Sequence, residues 1–483
     1  MSDSRSASIR KYSRIQHMVS FQGRIINLLL SVIVAFGGTY LLQSPALDTP
    51  QIYVLFLLIL SVCLWVTEAI PPFTVGLFIF GFLVFALGKH YHDIDPTTSN
   101  KIVQKYVQTW SNSVIWLMLG GFFMAEAMQK VGLDKTIFKL TIKRFGAKPR
   151  FVLLGIMLVT AIFSMIMSNT ATTAMMIASV LPFLKTLPKE AKITKALLIG
   201  IPAAASLGGM GTIIGSPPNA VAVDGLLQNG IKFGFLEWMM IGFPVAIILV
   251  MIFWKILITK YIPRISSIDL GFLSEGEPEE GSNEEIFMMK KKFVLGVLAV
   301  TMLLWLTSKL HGISASTVSM LPIMLLTMFR IVDSEDVRKL PWDTLMLVAG
   351  GLSLGLAIKE TGLAAYYVGL LNDFNLNPYM MIGVFAFITV VLSNFMSNTA
   401  TTTILIPIAI ILATDNPIIL PLVIGFSAST ALFFPISTPP NAIAFSTGLI
   451  EQKDFRFGGL IAGLLGPVIV VLVVLGFQFF GLI

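Results

Sequence analysis

Charge is what this chain has least of. Lys, Arg, Asp and Glu make up 12% of its 483 residues, against roughly 25% in a soluble domain. So little charge cannot clothe a water-soluble globule of this length, and a soluble enzyme or binding module is excluded. Cysteine is almost missing as well. Cys63 stands alone, which excludes a disulfide or a cysteine metal site within one chain. The four histidines, His17, His90, His92 and His311, stand near expected helix ends or loops and lack metal-site spacing. No nucleotide-binding loop occurs, so an ATP-driven pump is not expected. What remains is apolar. The chain is 55% hydrophobic, with a mean hydropathy of +0.86. Runs such as 52–66 and 459–483 approach or exceed the ~18–20 residues that span a bilayer. It reads as an all-α polytopic membrane protein.

The net charge of +7 is informative through its distribution. Arg5, Arg10, Lys11, Arg14 and Arg24 lie at the start; Lys130, Lys135, Lys139, Lys143, Arg144, Lys148 and Arg150 form a second group; Lys185, Lys189, Lys192 and Lys195 form a third. Short basic segments stay on the cytoplasmic side. This places the 1–23 segment inside, and its apolar sequel lacks the pattern of a cleavable signal peptide. Helices are expected at about 24–44, 52–69, 73–89 and 114–129. The apolar stretch 151–184 is basic at both ends, so it enters and leaves on one side, as a re-entrant hairpin with its tip near Ser168. A long segment at 195–225 and a helix at 238–260 complete a first repeat, 24–262. The polar stretch 263–292, with "SEGEPEEGSNEE", reads as a cytoplasmic linker. A second repeat, 293–483, has helices at about 293–310, 315–331 and 343–358, a hairpin at 378–413, then 418–447 and 457–482. The flanks of its hairpin carry no Lys or Arg, so that hairpin enters from outside, and the C-terminus lies outside.

The halves match in detail. "LWVT" (64–67) answers "LWLT" (304–307). Trp110 with Gly120-Gly121 answers Trp342 with Gly350-Gly351. "KVGL" (130–133) answers "ETGL" (360–363). Repeats parallel in sequence and opposite in expected side are inverted in the membrane, a pattern of secondary transporters, whose broken helices meet at mid-membrane.

"SNTATT" occurs at Ser168–Thr173 and again at Ser397–Thr402, and "SPPNA" (216–220) and "TPPNA" (438–442) follow them. Polar backbone at bilayer depth must be satisfied by protein, water or ligand. A hairpin tip there exposes the amides that begin its returning helix, which favour an anion. The Asn and Ser/Thr oxygens of the same tip are neutral ligands for a hard cation. The Pro-Pro pairs break their helices and free carbonyls such as those of Gly215 and Ser437, while Asn219 and Asn441 can tie off the broken ends. One Ser-Asn-Thr triplet alone would read as a helix cap or a packing face; two, each followed by a Pro-Pro-Asn break, read as a shared ligand site. No Arg or Lys lies in the four motifs, so an anion would be held by amides, hydroxyls and co-bound cations. Glu68 and Glu126 read as interfacial or internally paired, Lys359 and Glu360 as interfacial, and the Met-rich stretch at 165–176 as packing.

At "SNTATTAMM", "GSPPNA", "SNTATTTILIP" and "STPPNA" the chain resembles the divalent anion–sodium symporter family of di- and tricarboxylate transporters, from about residue 52 to its end. The resemblance implies a homodimer with eleven spans and two re-entrant hairpins, in which a transport domain slides as an elevator against a dimerising scaffold. It implies one sodium at Ser164, Ser168, Asn169 and the backbone of Gly215, and a second at Ser393, Asn398 and the Ser437 carbonyl. It places a dicarboxylate against Asn169, Thr170, Ser216, Asn398, Thr399, Thr438 and Pro439. In the family pattern position 393 is often Thr and 437 often Ala. Ser at both could retune the second cation site.

The expected function is secondary active import of C4 dicarboxylates (succinate, malate, fumarate) coupled to sodium, across the inner membrane of the cell. The alternatives are a sodium-independent dicarboxylate exchanger and a sulfate or tricarboxylate carrier. No enzymatic activity, organic cofactor or nucleic-acid partner is expected; the partners are the dicarboxylate, the bilayer and a second copy of the chain.

Overall fold

The computed structural model describes residues 2–146, 148–186, 191–262, 284–371, 377–412, 416–435 and 437–483, and these are helical apart from short connections. In chain order the first helices are α1 (Ser2–Leu42), α2 (Thr49–Thr67), α3 (Pro72–Phe82), α4 (Gly88–Ile94), α5 (Pro96–Gln108), α6 (Ser113–Lys130) and α7 (Leu133–Phe145). A first helical pair follows, α8 (Pro149–Ser164) and α9 (Asn169–Thr186), then α10 (Lys192–Gly209), α11 (Pro217–Gln228) and α12 (Phe235–Tyr261). Past the linker come α13 (Glu284–Leu306), α14 (Ser308–His311), α15 (Ala315–Val318), α16 (Met320–Met328), α17 (Ser334–Lys339), α18 (Trp342–Glu360) and α19 (Leu363–Leu371). The second pair is α20 (Pro378–Phe395) and α21 (Asn398–Leu412), followed by α22 (Ile419–Ala428), α23 (Pro439–Ser446) and α24 (Gln452–Phe479).

Length and apolarity alone single out seven membrane-crossing helices among the described residues, or eight if α6 and its bent sequel count as one. The further expected crossings fall on helices that are short or interrupted, such as α10/α11 and α22/α23, where Pro-Pro follows the break. The expected linker 263–292 lies outside the described residues as far as 283. The remainder is corrected: α13 already begins at Glu284, so Lys290, Lys291 and Lys292 ride on a helix. The side chain of Lys185 and all of Lys189, in the third basic group, also lie outside the described set, as do residues 372–376 beside the second pair.

The chain forms two compact units, Met1–Trp110 with Met346–Leu370, and Ser111–Leu345 with Leu371–Ile483. In the first, α1 packs along α2 and turns Phe21, Ile25, Leu29, Ile33 and Phe36 outward, as a lipid-facing helix should. Glu68 caps the end of α2 in a left-handed conformation, φ 47°, and is exposed. Lys105 pairs with Glu360 at 2.5 Å. The Gly350 backbone lies against that of Gly76: a Cβ on Gly350 would stand 2.3 Å from Gly76 Cα. Small residues permit such close crossings in membranes. The second unit repeats the device, with a Gly120 Cβ falling 2.6 Å from the Ser319 Cβ. The matched glycine pairs are therefore crossing points.

Gly350→Leu should accordingly lower the thermal midpoint of the purified protein sharply, since overpacking costs about 1–3 kcal/mol even where side chains can give and here the obstacle is backbone. Gly383→Leu, where a Cβ meets nothing within 4 Å, should leave the midpoint near wild type. Equal midpoints for the two variants would refute the crossing.

"KVGL" and "ETGL" also have a shared structure. Gly132 (φ 61°) and Gly362 (φ 72°) are left-handed corners, a conformation cheap only for glycine. Val131 N donates to Ala127 O and Gly132 N to Gln129 O; Thr361 N donates to Ala357 O and Gly362 N to Lys359 O. The chain turns by 71° between α6 and α7.

The core of the second unit is built on α10 and α22. All ten residues of α22 are buried, and so is α10 except for Lys192 and Lys195. Helices apolar on every side belong in an interior. Their neighbours obey an exchange symmetry. α8 and α9 pack on α10 as α20 and α21 pack on α22; α12 backs α8 and α10 as α24 backs α20 and α22. The returning helices cross over: α9 packs on α23, and α21 on α11. Reciprocal contacts of this kind are those of a two-fold axis.

Candidate functional site

Both "SNTATT" segments begin a helix after a break. Ser168 Oγ accepts from Ala171 N at 3.2 Å, and Ser397 Oγ from Ala400 N at 3.1 Å. These are N-caps, so the capping role and the tip position coexist. A hydroxyl that accepts one N–H keeps a further lone pair, and Ser168 remains available to a cation. Beyond the cap the tips differ in access: Asn169 and Asn398 are half-buried, Thr170 is exposed and Thr399 buried.

The breaks before Pro217 and Pro439 are closed by the following asparagines. Asn219 Nδ2 donates to Gly209 O (2.9 Å) and Thr212 O (2.7 Å). Asn441 Nδ2 donates to Phe434 O (3.0 Å) and Leu432 O (3.4 Å). Both side chains are buried, so these bonds satisfy carbonyls that water cannot reach. Thr438 Oγ1 accepts from Asn441 N, whereas Ser216 makes no capping bond.

Of the expected first sodium set, Ser164, Asn169 and Gly215 lie together. Ser164 Oγ donates to Ala205 O at 2.7 Å and stands 2.6 Å from the Asn169 side-chain amide. That amide can be turned two ways. With nitrogen inward it donates to Ala205 O (3.1 Å), Gly215 O (3.1 Å) and Ser164 Oγ (2.6 Å). With oxygen inward, an amide oxygen, a hydroxyl and two main-chain carbonyls surround one point. Oxygens facing only oxygens suit a hard cation. The enclosure is tight, for a Cβ on Gly209 would lie 2.2 Å from Asn169 Oδ1 and one on Gly215 2.5 Å from Gly209 O.

The second set is arranged differently. Ser393 Oγ and Asn398 Oδ1 are buried without a hydrogen-bond partner. The Ser437 hydroxyl donates to Phe434 O at 2.8 Å. Asn394 holds the region in place: its Oδ1 accepts from Phe433 N at 3.0 Å, and its Nδ2 donates to Val390 O at 2.8 Å. The substrate-contact candidates divide between two pairs of packed helices. Asn169 and Thr170 on α9 go with Thr438 and Pro439 at α23; Asn398 and Thr399 on α21 go with Ser216 at α11. None of these residues titrates, and all belong to the second unit.

Several contributors were invisible in the sequence reading. Ala205 acts through a carbonyl that any residue would supply. Gly209 is marked only by the glycine-rich "SLGGMGT". Thr212 donates to Met165 O and accepts from Gly215 N at 3.1 Å, pinning the first break to the first tip. Asp224, 1% exposed, accepts from Asn112 Nδ2 at 2.6 Å and from Gln228, two turns beyond Pro217. Among the described residues no group of three His, Cys, Asp or Glu could hold a metal ion, and the oxygens gathered around Asn169 are neutral.

Paired broken helices with neutral polar tips, embedded in an apolar helical unit, define a membrane transporter rather than an enzyme. The chain belongs to the family described as the sodium:sulfate symporter transmembrane region, whose model matches residues 22–482. It is 30% identical to the sodium-dependent dicarboxylate transporter SdcS of Staphylococcus saprophyticus, over 94% of this chain and 91% of that protein. It is equally similar to SdcS of Staphylococcus aureus strain USA300, with the same coverage. In fold it is similar to the YdaH transporter of Alcanivorax borkumensis, described as having an unusual topology (TM-score 0.60, 11% identity, 85% of this chain and 98% of that one). It is also similar to MtrF of Neisseria gonorrhoeae (TM-score 0.50, 13% identity, 86% and 96%).

Proposed function

We propose that the protein imports C4 dicarboxylates such as succinate, malate and fumarate in symport with sodium. The carrying observation is the pair of neutral oxygen sets at Asn169 and Asn398, each at the start of a returning helix. The helix amides suit a carboxylate, and the oxygens suit sodium, which supplies the counter-charge that the motifs lack. The likeness to SdcS, a sodium-dependent dicarboxylate transporter, supports the same reading. One sodium meets Ser164, Ser168, Asn169 and Gly215 O; the other meets Ser393, Asn398 and Ser437 O. The dicarboxylate bridges the tips through Asn169, Thr170, Ser216, Asn398, Thr399, Thr438 and Pro439. Because the whole set lies within one compact unit, that unit can carry its cargo as an elevator. The proposed assembly is a homodimer in the inner membrane, the N-terminus inside and the C-terminus outside, with the first pair entering from within and the second from without.

The test is a sodium titration of radiolabelled succinate uptake by the purified protein in proteoliposomes. Uptake should rise steeply with sodium, and robust counterflow in pure choline buffer would overturn coupling. At about pH 7.5, unlabelled succinate should compete roughly ten- to a hundredfold better than butyrate. The monocarboxylate leaves one tip unpaired and forfeits about 1.5–3 kcal/mol. Competition by butyrate within about threefold of succinate would refute the two-tip clamp.

A further inference from the structure

The two sodium sets are counterparts, yet their polar groups are not equally engaged, and the difference points to an additional ligand. Counting from "SNTATT" and "PPNA", Ser164 answers Ser393, Met165 answers Asn394, Ala205 answers Ser427, Gly211 answers Phe433 and Gly215 answers Ser437. Packing obeys this register at independent points. A Cβ on Gly211 would touch the Met165 side chain at 2.7 Å, and Phe433 N donates to Asn394 Oδ1 at 3.0 Å. A Cβ on Gly215 would touch Gly209 O, and at its counterpart the Ser437 hydroxyl lies 3.3 Å from Ala431 O. By the same register, Ser393 lies against residue 427 as Ser164 lies against Ala205.

In the first set that opposition is a hydrogen bond, Ser164 Oγ to Ala205 O. In the second it is not. The carbonyl of Ser427 is taken by the Thr430 hydroxyl at 2.8 Å. Ser393 Oγ and Ser427 Oγ are both buried and both without a partner, as is Asn398 Oδ1. Thr172, Thr173, Thr194, Ser206, Thr401 and Thr403 are also buried without a partner, but some hydroxyls of these helices bond back to the preceding turn. Thr160 does so to Ile156 O and Thr389 to Phe385 O, each at 2.6 Å, one turn before Ser164 and Ser393. Leaving a buried hydroxyl unpaired costs about 1–3 kcal/mol, so three such oxygens on one register line call for a ligand that binds oxygen.

We propose that the Ser427 hydroxyl is a ligand of the second sodium, opposite Ser393 Oγ and beside Asn398 Oδ1. The second site then draws side-chain oxygens from both the hairpin and α22, whereas the first takes only a main-chain carbonyl from the equivalent helix. The inference rests on the sodium-coupled reading above and assigns to it a residue that reading does not use.

The experiment compares Ser427→Ala, Ser427→Thr, Ser427→Cys and Ser429→Ala with wild type. Ser429 is equally buried and equally unpartnered, but two residues on it lies roughly 200° round the helix. Two readouts are taken: the half-saturating sodium for succinate uptake in proteoliposomes, and the sodium midpoint for thermal stabilisation of the purified protein without substrate. Ser427→Ala should raise both on the order of tenfold, the loss of one charge-assisted contact. Its succinate KM at saturating sodium should stay within about twofold of wild type. Ser427→Thr should restore wild-type values and Ser429→Ala should match them. Should Ser427→Ala not fold, Ser427→Cys keeps the shape of the side chain with a slightly larger atom and replaces a hard ligand with a soft one, with the same shift expected. Sodium midpoints unchanged at residue 427, or shifted equally at 429, would overturn the assignment while leaving sodium coupling intact. A wild-type protein indifferent to sodium would overturn both.

Discussion

Asn169→Ala and Asn398→Ala should each cut sodium-driven succinate uptake at least about a hundredfold in protein that remains folded. Each asparagine is proposed to face two ligands, a sodium through its side-chain oxygen and a carboxylate through its side-chain nitrogen. Losing two charge-assisted contacts at about 1.5–3 kcal/mol each removes roughly 3–6 kcal/mol from the bound state. Folding should be spared because Asn169 and Asn398 are half-buried at tips and their helix caps come from Ser168 and Ser397. Near wild-type uptake by either variant, at matched expression and oligomeric state, would refute the paired-tip arrangement.

Adjacent glycines should give opposite failures. A methyl on Gly209 points at the Asn169 side chain, 2.2 Å from its Oδ1. That side chain can swing away, and the Gly215 carbonyl, 3.0 Å from the methyl, need give only slightly, so Gly209→Ala should fold and yet lose transport about as completely as Asn169→Ala. A methyl on Gly208 meets the α8 backbone, 2.4 Å from Ala161 Cα and 2.5 Å from its carbonyl. Backbone in a close-packed interior has nowhere to go, so Gly208→Ala should fail in assembly, seen as loss of the monodisperse peak in size-exclusion chromatography. If Gly209→Ala transports normally, or if the two variants share one phenotype, the enclosure around Asn169 is not as described.

Chemistry that is local in the chain was readable in the sequence. The glycines of "KVGL" and "ETGL" mark corners because a positive φ is specified by a single residue. Asn219 and Asn441 close the breaks beside which they stand, within ten residues of every carbonyl they bind. The apolar runs named in the sequence hold α8 with α9 and α20 with α21. Tertiary register was not readable. Nothing in the sequence says that Ser164 meets Ala205 or that Asn394 meets Phe433, because both pairings depend on how α8 lies on α10 and α20 on α22. The start of α13 was misjudged for a related reason. Glu284, Glu285 and Lys290 to Lys292 have the composition of a linker, but charge does not prevent a helix from running on past the membrane.

The crossed packing of α9 on α23 and α21 on α11 has a consequence for synthesis. Between residue 169 and residue 439 the ribosome adds about 270 residues, which takes ~15–50 s at roughly 5–20 residues per second. Throughout that interval the first hairpin has been made and its partner has not. Its polar tip must wait in the translocon, against lipid or under a membrane chaperone, with its asparagine and threonines unmatched by the second half. The crossed core is therefore completed only when α23 emerges, and a chain halted before α23 should be a quality-control substrate even with most of its spans in place.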